Sequence, residues 1–107
     1  MGMDLIGPRR YFNWNWGAWR TVLKLAERHG WEPMGTGSRR EWGYLSNDGQ
    51  LFYARDAKML ANALEEFLRC PRPRRVSKEE AWLWSPVGKR EMRRFIVFCR
   101  KGSFRIH

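Results

Sequence analysis

Between residues 55 and 69, Ala57, Leu60, Ala61, Leu64 and Leu68 recur along one helical stripe, and Cys70-Pro71 ends the run. A helix with a single apolar face must bury it, so the rest of the chain has to supply a complementary layer. Proline cannot continue the helix and disfavours α geometry in the residue before it, which sets the stop. Two other segments carry the same signature. In residues 18–29, Trp19, Val22, Leu23 and Ala26 stand at i, i+3, i+4 and i+7, with Gly30 as the C′ residue. In residues 89–101, Met92, Phe95, Ile96 and Cys99 fall within about a 100° arc, and Gly102 follows as a cap. Ser77 and Glu80 fit a capping box that opens a short helix through Trp84, stopped by Ser85-Pro86.

The complementary layer reads as a sheet. Residues 2–6 form a short apolar entry, read as an edge strand and closed by Gly7-Pro8. From Tyr11 to Trp16 the pattern alternates, placing Phe12, Trp14 and Trp16 on one face of an extended segment. Residues 31–40 contain Pro33, Gly35, Gly37 and Ser38 and read as a loop. Residues 42–45 and 50–53 suit strands, and Ser46-Asn47-Asp48-Gly49 between them predicts a hairpin. Phe104 and Ile106 alternate with Ser103 and Arg105 as a last strand. The expected fold is a single α+β domain over residues 1–107: a small antiparallel sheet packed by two longer amphipathic helices and a third, basic C-terminal one.

Seven Trp, six Phe and three Tyr in 107 residues make such a core feasible, since each buries roughly 150–250 Å². Two cysteines, Cys70 and Cys99, are too few for a disulfide framework, and no apolar run approaches a bilayer span. The opening lacks the apolar region of a signal peptide, so the expectation is a cytoplasmic, tryptophan-rich protein with reduced thiols and no membrane.

Several stretches resemble an uncharacterised family of small bacterial proteins. They are Met1-Gly2-Met3-Asp4-Leu5 with Gly7, Tyr11-Phe12 before a tryptophan-rich turn, Ser46-Asn47-Asp48-Gly49-Gln50 with Asp56-Ala57, and Phe95–Gly102 leading to Phe104-Arg105-Ile106. The family pattern has a second glycine and a terminal aromatic where this chain has Ser103 and His107. The resemblance implies a shared fold whose two ends pack as one unit, and it transfers no activity.

Charge is the strongest functional signal. The net charge is +10, and residues 69–107 carry twelve Lys/Arg against three Asp/Glu. Lys89, Arg90, Arg93, Arg94, Arg100 and Lys101 line the last helix beside its apolar stripe, interrupted only by Val97. Arg72, Arg74 and Arg75 lie in the basic linker Pro71-Arg72-Pro73-Arg74-Arg75. Two readings stand: a solvated face that maintains solubility, or a surface for phosphates, where arginine's planar fork suits bidentate contact. Trp82 and Trp84 sit two positions apart on a helix and cannot both face one core, so they are the stacking candidates.

Other chemistry lacks support. His29, Cys70, Cys99 and His107 have no zinc-motif spacing, and Cys99 lies on an apolar stripe. Asp48 reads as a turn residue and Asp56 as a first-turn acid that suits the helix dipole, although both could meet Asp4 as a carboxylate cluster. No phosphate loop, dinucleotide fingerprint or nucleophile elbow is present, so no enzyme, metal or cofactor is expected. Two functions remain: a binding module for nucleic acid or another polyanion, or an adaptor or inhibitor, as in a phage-defence or toxin system, whose aromatic patch meets an acidic protein surface.

Overall fold

The computed structural model describes residues 2–37 and 41–107; Ser38, Arg39 and Arg40 of the expected loop lie outside them. It is an α+β fold. The elements run β1 (Gly2–Gly7), β2 (Arg10–Asn15), α1 (Trp16–Arg28), β3 (Leu51–Phe52), α2 (Ala54–Arg69), α3 (Lys78–Leu83), α4 (Pro86–Arg100) and β4 (Phe104–Ile106). The strands form one antiparallel sheet in the order β2-β1-β4-β3. Met3, Leu5, Phe12, Trp14, Phe52, Phe104 and Ile106 face the helices and are buried. Ile6, Tyr11, Asn13 and Arg105 are exposed on the other face.

The first expectation to change is the place of β1. It lies inside the sheet, between β2 and β4, because Leu5 pairs with Ile106 and the two ends of the chain are strand neighbours. Its turn to β2 is Pro8-Arg9, with Arg9 at φ 55° where a tight turn needs a left-handed residue. Trp16 leaves the strand face and opens α1, because the Asn15 side chain accepts from Ala18 N at 2.7 Å and caps the helix there. Phe12 and Trp14 stay on the buried face as expected.

The hairpin over residues 42–53 does not form. Glu41–Gly43 is a kinked turn with Trp42 at φ 65° and Gly43 at φ 80°, conformations that no strand accommodates. Tyr44 O accepts the Trp19 indole N–H at 2.7 Å, so it is not free for a ladder. The Ser46–Gly49 turn instead wraps the Gln50 amide, which donates to Gly43 O and Ser46 O and accepts from Asp48 N. β3 then pairs with β4.

The last helix begins three residues earlier than its stripe suggests. Ser85 accepts from Gly88 N at 3.1 Å, so Ser85-Pro86 ends α3 and also opens α4 with proline in its first turn. At the other end, Arg10 reaches from β2 to Phe98 O, Gly102 O and Ser103 O at 3.3, 2.8 and 2.7 Å, with its guanidinium over the Phe98 ring. Gly7 makes that path available, since a Cβ there would overlap the Arg10 guanidinium. A cation against the carbonyls at a helix C-terminus is a favourable placement. Arg10→Met keeps the stem and removes the donor to Gly102 O and Ser103 O, while Phe98 O keeps the Lys101 N–H, so we expect a loss of about 2–3 kcal/mol in urea unfolding. Wild-type stability in that variant would show that water replaces the contacts at no cost.

Candidate functional site: a cationic surface around the last helix

The helical stripe of α4 is buried as its spacing predicts: Met92, Phe95, Ile96 and Cys99 are inaccessible, joined by Phe98. Burial pushes the Cys99 thiol well above its ordinary range, and both cysteines are free. Arg90, Arg93, Arg94, Arg100, Lys101 and Val97 are all exposed. The two faces of α4 are therefore the ones read from the pattern.

The structure divides the nine candidate cations by what they touch. Arg94 gives one nitrogen to both carboxylate oxygens of Glu91, at 3.0 and 2.9 Å, and lies 5.5 Å from the Phe12 ring centroid. Arg100 pairs with Glu65 of α2 at 2.7 Å. Lys89 lies over the Trp84 ring at 5.4 Å. Arg90, Arg93, Lys101 and the linker residues Arg72, Arg74 and Arg75 are exposed, with no ion pair among the described residues. Exposed pairs such as Arg94–Glu91 contribute only about 0.2–1 kcal/mol, so even the paired cations remain open to exchange for a stronger anion.

The acids explain this imbalance. Of the three that follow Arg69, Glu91 holds Arg94 and Glu80 is buried against Arg28 of α1. Glu80 also serves the capping motif at Ser77, whose hydroxyl accepts from Glu80 N at 3.2 Å. Its carboxylate does not close the expected box. It accepts from Arg28 and from Trp84 Nε1, tying α3 to α1.

Of the stacking candidates, Trp84 is withdrawn. It is 7% exposed, tilted against Phe67 at 4.5 Å, and its indole N–H is used. Trp82 is 44% exposed and meets Trp14 edge-on at 6.4 Å. The other aromatics mostly build the core, among them a run in which Phe52 stacks on Trp31, Tyr44 and Phe104.

A groove of about 970 Å³ opens between α1 and α3, lined by Trp16, Arg20, Lys24, Arg28, Trp42 and Glu79 among others. None of the nine cations lines it, so the basic surface and the concavity are separate features.

The three aspartates do not converge. Asp4 lies on the open face of the sheet, where the Tyr11 hydroxyl and the Asn13 amide donate to it and hold its carboxyl below the usual range. Asp56 is buried in the first turn of α2, and Asp48 is exposed in the Gln50 turn. No group of carboxylates, histidines and cysteines suited to a metal ion occurs among the described residues. No described helix is long and apolar enough to cross a membrane. Comparison with protein-family models, curated proteins and solved structures finds no match, so what this chain does has to be argued from its own surface.

Proposed function

We propose that the chain is a small basic binding module for nucleic acid or a similar polyanion, engaged through α4 and the linker between α2 and α3. The observation that carries this reading is the set of exposed cations without partners: Arg90, Arg93 and Lys101 on α4, with Arg72, Arg74 and Arg75 on the linker. A domain that only needed solubility would gain more from mixed charges than from a net +10. Recognition of this kind is backbone-directed and carries no base readout. Trp82, the stacking candidate that remains exposed, supplies a ring on which a single strand could stack.

The test is a titration of labelled single- and double-stranded oligonucleotides at low and physiological salt. Log affinity should fall with log salt by roughly 0.7–0.9 for each phosphate contacted. Replacing Arg90, Arg93 and Lys101 together by Gln should leave folding intact, since none is buried or paired. The triple variant should bind all sequences more weakly, and its salt slope should flatten by up to about three contacts. Absence of binding at low salt, or an unchanged slope in that variant, would remove the polyanion reading. A protein partner with an acidic surface would then lead.

A further inference from the structure

β2 is an outer strand of the sheet and six residues long. Asp4 exchanges both main-chain hydrogen bonds with His107 of the terminal segment, N–H to O at 3.0 Å and back at 2.7 Å. In an antiparallel ladder each residue directs its N–H and C=O to the same side. The polar groups of Asp4 and Ile6 thus point to the β4 side, and their partners across the other side, Asn13 and Tyr11, stand in non-hydrogen-bonded pairs. The main-chain N–H and C=O of Tyr11 and Asn13 therefore point outward along the free edge. Among the described residues nothing bonds to them.

Natural edges are usually blunted by a bulge, a proline, a short strand or an inward-pointing charge. β2 is continuous and unbulged against β1, and its central inward side chains are Phe12 and Trp14. The lip above them is built from other elements. Trp82 of α3 meets Trp14, and Arg94 of α4 lies over Phe12. Arg94 uses one terminal nitrogen on Glu91, which leaves its other guanidinium N–H groups without a partner among the described residues. Arg9 is exposed at one end of the strand, and Arg20 lies 5.7 Å from the Trp16 ring centroid at the other.

We propose that this edge receives an extended acidic segment of another protein, added to the sheet as a further antiparallel strand. The main chain of Tyr11 and Asn13 supplies the ladder, and two inward-facing side chains of the partner supply selectivity. One, beside Trp14 and under Trp82, is apolar. The next, two residues on and beside Phe12, is a carboxylate that meets Arg94. Charge decides the occupant. A second copy would bring another +10 chain and its own Arg9 and Arg94 to the same edge, whereas an acidic strand neutralises them. This surface shares Trp82 and Arg94 with the polyanion reading, but it rests on main-chain groups of β2 and owes nothing to Arg90, Arg93 or Lys101, so a variant of those three separates the two.

The probe is an acetylated peptide that alternates Thr with Ile and Glu, followed by amide hydrogen exchange on the labelled protein. The peptide should bind saturably and slow exchange at Tyr11 and Asn13. A Lys-for-Glu analogue, and the Trp82→Ala protein, should each bind at least about tenfold more weakly. Asn13→Pro removes one outward N–H and should abolish the protection; where it fails to fold, Trp82→Ala and the analogue carry the test. No binding, or binding that leaves the two amides unprotected, overturns the proposal. So does protection of the same amides by dimerisation without peptide. The R90Q/R93Q/K101Q protein should keep its peptide affinity, which separates this result from failure or success of the oligonucleotide titration.

Discussion

Asp56→Ala should lose about 3–5 kcal/mol of stability, the largest effect of any single side-chain truncation considered for this fold. Asp56 is 1% exposed, yet its carboxylate is fully used. Oδ1 accepts from Met34 N at 2.9 Å, and Oδ2 accepts from Gly35 N at 2.9 Å and from the Tyr44 hydroxyl at 2.6 Å. The truncation strands three buried or half-buried donors, each costing about 1–3 kcal/mol when unsatisfied. It also loosens a packed unit, because Gly35 closes tightly on Trp42 and the Tyr44 ring stacks on Phe52 at 4.0 Å. Burial together with the bond to Asp56 pushes the Tyr44 hydroxyl well above its ordinary range, so it stays a neutral donor at physiological pH. Tyr44→Phe removes only one of the three donors and should cost about 1–2 kcal/mol. Urea unfolding followed by circular dichroism measures both. Equal stabilities for wild type and Asp56→Ala would mean that water enters and replaces the carboxylate, and the network would be incidental.

Asp56 also marks where sequence reasoning reached its limit. An acid in the first turn of a helix is an ordinary dipole partner, and nothing local says that it is buried. The signal was present in its phase. Asp56 precedes Leu60 by four and Ala63 by seven, on the side of the buried face, where a charge requires a partner. The stripes of α1, α2 and α4 were legible because helical burial repeats within a dozen residues. The inner placement of β1 was not, because an inner strand of a sheet covered on one face alternates as an outer one does. Its neighbour β4 lies at the far end of the chain. Residues 42–45 misled for a different reason. Their aromatic content favours a strand, but a left-handed Trp42-Gly43 turn prevails once Asp56 and Trp19 capture the hydroxyl and carbonyl of Tyr44. At the surface, the Glu91–Arg94 pair is readable from i, i+3 spacing, whereas Arg100–Glu65 joins two helices and is visible only in three dimensions. The edge of β2 was equally hidden, since an exposed edge is defined by the absence of a partner strand.

Gly88→Ala should destabilise the protein by about 3 kcal/mol or more, although alanine is intrinsically the better helix former by about 1 kcal/mol. Gly88 lies in the first turns of α4, with ordinary helical backbone, so conformational freedom does not explain it. Space does. A Cβ at this position would overlap Trp82 O and come within 2.7 Å of Leu83 Cα. Both obstacles are main-chain atoms of α3, so no rotamer change relieves the overlap and α3 must move relative to α4. That movement disturbs the fully buried Leu83 and shifts Trp82 away from Trp14. Gly17→Ala is the matched control. In α1 the added Cβ meets only Asn15 Oδ1 at 3.6 Å, and that variant should gain up to about 1 kcal/mol from propensity alone. Opposite signs for the two glycines in parallel urea titrations are the expected outcome. A Gly88→Ala protein as stable as Gly17→Ala would show that the α3–α4 junction is loose. The placement of Trp82 over the edge of β2 would then lose its structural basis, since the glycine contact is what seats α3 against α4. If the junction is tight, the residual folded fraction of Gly88→Ala should also bind the Ile/Glu peptide more weakly than wild type while retaining its affinity for duplex oligonucleotides, whose stacked bases do not engage Trp82.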